Sequence, residues 1–90
     1  MSYLRELQDE ITTWGRKNFP EETEQSMLIS VMEELGELAH SVLKRATGIR
    51  SEEDHNGKIY DAVGDIAISL IEFCTINDID FERCLRDVWG

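Results

Sequence analysis

Apolar residues recur along this chain at spacings of three and four, and no stretch alternates over the length of a strand. Leu4, Leu7, Ile11 and Trp14 predict a first helix from Tyr3 to Asn18. Asn18-Phe19-Pro20 stops it, because proline disfavours helical geometry in the residue before it. A second helix is expected from Glu21 or Glu22 to just before Gly48, with acids in its first turn and Lys44 and Arg45 in its last, as the helix dipole favours. Residues 47–56 read as a polar loop. A third helix spans Gly57 to Thr75 and a short fourth Asp80 to Val88, with Asp78 or Asp80 as its cap. The fold class is all-α, with one helical domain over residues 1–90.

The two central helices carry more apolar surface than one neighbour can cover. Met27, Leu28, Val31, Met32, Leu35, Leu38, Ala39, Val42 and Leu43 occupy roughly 160° of the second helix. Ile59 to Cys74 fill about 180° of the third, whereas an ordinary surface helix needs an apolar arc of about 100°. A chain of 90 residues is also marginal alone. The expectation is a four-helix subunit that forms a helical bundle with a second subunit, as a homodimer or a dimer of dimers.

Charge narrows the partners. Nineteen acids against nine bases give a net charge of −10. Nucleic acid and anionic membranes are therefore not expected partners, since both select for basic surfaces. No stretch has the length of a membrane span, because Asp65, Ser69 and Glu72 interrupt the best candidate. Neither cysteine belongs to a CxxC pair, and the N-terminus shows no basic region leading into an apolar one. A cytoplasmic location follows as an expectation, with Cys74 and Cys84 as reduced core thiols.

The acids are not spread evenly. In Glu33-Glu34-Leu35-Gly36-Glu37, helical spacing puts Glu34 beside Glu37 and Glu33 on the adjoining edge. Asp61 and Asp65 share a face of the third helix. Gly36 and Gly64 interrupt these clusters, although glycine inside a helix costs about 1 kcal/mol relative to alanine. The expectation is that the glycines let the two helices approach closely and present several carboxylates to one point. Hard oxygen donors suit Mg²⁺, which takes one or two carboxylates plus waters and phosphates. The plainer reading is a solvated acidic face.

At these residues the sequence resembles the MazG-like all-α nucleotide pyrophosphohydrolases. Glu-Glu-Leu-Gly-Glu stands on one helix and Asp-Ala-Val-Gly-Asp on the next, and the likeness runs from Leu7 through the fourth helix. The resemblance implies Mg²⁺-dependent hydrolysis of an NTP or dNTP to the monophosphate and pyrophosphate, with Mn²⁺ as the alternate ion. It implies metal ligands at Glu34, Glu37 and Asp65, with Glu33 as a supporting acid. The family pattern would place glutamate at Ala62, so Asp61, one residue earlier, is taken as the fourth ligand. Either Glu33 or Glu37 would accept a proton from the attacking water.

Around that centre, Lys44, Arg50 and Lys58 are candidate phosphate contacts, and Trp14 is a candidate stacking platform for a base. Their plainer readings are an ion pair from Lys58 to Asp61, and core packing for Trp14 and Tyr60. Glu37-x-x-His40 is half of a di-iron motif, but Glu52 and His55, its only complement, fall in the polar loop. Two alternatives to the hydrolase stand: a non-catalytic acidic helical protein that dimerises or binds a partner, and phosphoribosyl-ATP pyrophosphohydrolase.

Overall fold

The computed structural model describes residues 2–48, 50 and 52–90. Among them the order is α1 (Tyr3–Asn18), α2 (Glu24–Thr47), α3 (His55–Ile76) and α4 (Phe81–Trp89), with no strand. Each start has a side-chain cap. The Ser2 hydroxyl accepts from the Arg5 amide at 3.1 Å and opens α1. α2 starts two or three residues later than expected, because Thr23 and Ser26 exchange side-chain bonds with each other's backbone N–H groups at 3.1 and 2.9 Å. The Asp54 carboxylate accepts from Gly57 N–H at 2.9 Å, which brings the start of α3 forward to His55. Asp80 caps α4 through the Arg83 amide at 3.1 Å. α2 ends at Gly48, whose φ of 73° is the left-handed geometry that glycine adopts without a Cβ penalty.

α3 is the hub. α2 lies antiparallel along it, tied by Arg45 Nη1 donating to Asn56 Oδ1 at 2.9 Å and by Ser69 Oγ donating to Glu34. α1 lies along the C-terminal half of α3, where the Thr12 and Thr75 hydroxyls meet at 2.9 Å. Gln8, 5% exposed, joins three elements. Its amide nitrogen donates to Thr75 Oγ1 and to the Ile79 carbonyl, and its amide oxygen accepts from Phe81 N–H. Arg5 pairs with Asp80 at 2.7 Å, and Ser2 donates to Glu82, so α4 is pinned to the start of α1. Among the described residues α2 packs on α3 alone. No helix among them is long and apolar enough to cross a membrane.

The packing is open. The buried apolar residues among those described are Met27, Ala62, Ile71 and Cys74. The radius of gyration is 15.2 Å, against about 12 Å for a compact domain of this length. Three residues expected in the core are on the surface: Trp14, Tyr60 (81% exposed) and Cys84. α1 contributes Gln8 and Thr12 to the α3 contact, which turns Trp14 outward to meet Phe19 edge-on at 5.4 Å. Tyr60 lies on the side of α3 away from buried Ala62.

A candidate metal and phosphate cleft

Bonds from Glu34 to Ser69 and from Arg45 to Asn56 fix the α2–α3 register. In that register Glu37 stands level with Asp65, and Lys44 level with Lys58. Glu37, His40, Ser41 and Lys44 follow one face of α2, and Lys58, Asp61, Ala62 and Asp65 follow the opposing face of α3. Together they line a cleft of about 330 Å³. It is polarised: Glu37 and Asp65 stand at one end, the two lysines at the other, and Asp61 and His40 between. Seven helical residues separate the ends, a run of about 10 Å.

Glu34 lies just past the acidic end. Its carboxylate accepts from Ser69 Oγ, at 3.2 Å to one oxygen and 3.3 Å to the other. Burial raises its pKa above the ordinary glutamate value. The Ser69 bond opposes that rise, and the fields of Asp65, Glu37 and Glu33 add to it. Glu34 therefore shares one electrostatic environment with acids of both helices. Glu33 itself is exposed and reaches the cleft only through that field.

The other sequence-derived candidates divide. Glu37, Asp61, Asp65, Lys44 and Lys58 all border the cleft. Arg50, with φ of 52°, sits in the α2–α3 connection and approaches Glu53 at 3.6 Å. Lys58 bonds Glu53 at 2.7 Å, so the ion pair expected with Asp61 is replaced by one with the loop. Trp14 is on α1 and is not part of this lining. The expected role of the glycines is corrected as well. A Cβ on Gly36 or Gly64 would meet nothing within 4 Å, so neither glycine mediates the α2–α3 approach. Ser69 and Glu53 were missed. Ser69 is four residues beyond Asp65 on the same face, a register signal present in the sequence. Glu53 needed the loop conformation.

The donor set suits a hard divalent cation in kind, being carboxylate oxygens at the walls of one cleft. The carboxylates do not converge in this structure: among the described residues no three His, Cys, Asp or Glu side chains stand close enough to hold one ion.

A second cavity, of about 300 Å³, lies where α1, residues 19–22, α2 and the end of α3 meet. Glu72 borders it with one carboxylate oxygen, Oε1, buried and without a hydrogen-bond partner among the described residues. That oxygen lies against Gly15, where a Cβ would come within 2.8 Å of it. Burial raises the Glu72 pKa, and the carboxylates of Glu22 and Glu34 raise it further.

In comparisons with protein-family models, curated proteins and solved structures, nothing matches this chain.

Proposed function

We propose that this chain is a Mg²⁺-dependent nucleoside triphosphate pyrophosphohydrolase that works as a homo-oligomer. The observation that carries the reading is the polarity of the α2–α3 cleft, acids at one end and lysines at the other over about the length of a triphosphate. Mg²⁺ needs only one or two carboxylates beside waters and phosphate oxygens, and Glu37, Asp61 and Asp65 on the cleft walls, with Glu34 next to them, are the residues that would supply them. When bound, Mg²⁺ neutralises charge on phosphoryl oxygens and makes water more acidic. Glu37, which borders the cleft, would take the proton of the attacking water on a carboxylate oxygen; Glu33, outside the lining, would act only through its field. Lys44 and Lys58 neutralise the departing pyrophosphate at the other end.

Surface area supports the oligomer. The subunit exposes 6788 Å², whereas a folded monomer of 10.4 kDa exposes about 5400 Å². The excess of about 1400 Å² is larger than the roughly 800 Å² that a standard interface takes from each partner. Met32 (66% exposed), Leu35 and Leu43 mark the uncovered side of α2, and Tyr60, Val63 and Leu70 that of α3. Gly36 and Gly64, with open space at their Cβ positions, leave room for another backbone to approach closely.

The test is a panel of NTPs and dNTPs with Mg²⁺, scored for pyrophosphate. Release of orthophosphate alone would refute cleavage between the α and β phosphates. The unconverged carboxylates favour a second reading, a non-catalytic helical protein that uses the same apolar faces to assemble. It predicts assembly without turnover and without a Mg²⁺-specific rise in melting temperature.

A further inference from the structure

Glu53 belongs to the α2–α3 connection, and its carboxylate sits among cations at the basic end of the cleft. Lys58 Nζ donates to Glu53 Oε2 at 2.7 Å. Arg50 Nη1 lies 3.6 Å from Oε1, and His55 Nδ1 lies 4.0 Å from Oε2. The two carboxylate oxygens thus face different basic side chains. Lys44, across the cleft from Lys58, contributes its field. The Lys58 hydrogen bond, then the charges of Lys58, Lys44 and Arg50, hold the Glu53 pKa below the ordinary glutamate value. Lys58 is shared, since it also borders the cleft that Glu53 does not line.

We infer that the Lys44–Arg50–Lys58 cluster is an oxyanion site for a terminal phosphate, and that Glu53 fills it in the free protein and yields it to the ligand. A carboxylate held by several cations has the chemistry such a site needs: acceptor oxygens and negative charge. A terminal phosphate brings three acceptor oxygens and close to two charges, so it outcompetes a side chain carrying one. Monoanionic groups, such as a ligand carboxylate or a phosphodiester, do not have that advantage. Glu53 is therefore a specificity-determining residue, selecting chains that end in phosphate. This inference rests on reading the cleft as a phosphate site but requires neither metal nor turnover.

The experiment is titration calorimetry of the full chain with inorganic tripolyphosphate in EDTA. Wild type is expected to bind, and Glu53→Gln to bind roughly fivefold more tightly, the effect of releasing one exposed ion pair. Lys58→Gln is expected to bind more weakly than either. Glu53→Asp, which withdraws the carboxylate by one methylene, should fall between wild type and Glu53→Gln and serves if the latter misfolds by circular dichroism. Absence of binding in wild type and Glu53→Gln alike would overturn the inference, as would equal or weaker binding by a folded Glu53→Gln. Tripolyphosphate binding of the expected pattern without pyrophosphate release from any NTP would overturn only the hydrolase. Turnover with no Glu53 effect on binding would overturn only the gate.

Discussion

Replacing Glu72 by glutamine should stabilise the protein at neutral pH and not at acidic pH. Glu72 Oε1 is buried without a partner among the described residues, and burial, Glu22 and Glu34 all raise the pKa of the group. The folded protein therefore holds this proton more tightly than the unfolded chain does. The contribution to stability is whole below the ordinary glutamate value of 4.5, and it is lost as pH rises through the folded-state pKa. A buried polar atom without a partner costs about 1–3 kcal/mol. Glutamine removes the charge but keeps a polar head, so about 1 kcal/mol should be recovered at pH 8. In a domain of this size that raises the melting temperature by about 4–8 °C. The assay is thermal unfolding by circular dichroism of both proteins from pH 4.5 to 8. Gly15→Ala supplies an independent check, because its Cβ would crowd the same oxygen at 2.8 Å and drive it toward the cavity. It should flatten the pH dependence while adding up to about 1 kcal/mol of helix propensity. A Glu72→Gln difference that stays constant with pH, or a variant less stable at pH 8, would refute the argument.

Met32→Glu places a charge on the uncovered side of α2, where Met32 is 66% exposed and the chain has little packing to lose. Light scattering should show a smaller species than wild type at equal concentration, and an unchanged mass would count against that interface. Mg²⁺ at about 100 times its Kd should stabilise the folded chain by about 2.7 kcal/mol, and Glu37→Gln should abolish both that shift and turnover. Ser69→Ala removes the hydroxyl that donates to Glu34 and should cost about 1 kcal/mol at pH 7 and less at pH 4, below the raised pKa of that carboxyl, where less of it is charged. Chemical denaturation at the two pH values tests it.

Local signals carried the helices, and tertiary contacts decided much of the rest. α1 keeps its expected bounds because Ser2, the spacing of Leu4 to Trp14 and Pro20 all act within a few residues of one another. The starts of α2 and α3 moved by a few residues where caps at Thr23 and Asp54 outweighed the apolar pattern. The acid register was legible too, so Glu37, Asp61 and Asp65 reach one cleft as helical spacing requires. Arcs as wide as those of α2 and α3 do not say which part meets a neighbouring helix of the same chain. Tyr60 and Val63 therefore lie outside while Ala62 lies inside. Gln8 and Glu72 read as ordinary helical polar residues until α1 docks on α3. Glu53 becomes informative only once the loop folds it back toward Lys58.

Because among the described residues α2 packs on α3 alone, the molecule is divided in how it tolerates change. The width and register of the cleft depend on the two facing helices, tied where Ser69 donates to Glu34 and Arg45 donates to Asn56. One residue gained or lost inside either helix would turn the residues beyond it by about 100° and take the acids out of alignment with their counterparts. The stretches 19–23 and 77–80 lie on the other side of the hub, and their length leaves that alignment untouched. Lengthening or rewriting can therefore accumulate around α1 and α4 while the spacing between carboxylates and lysines stays the same.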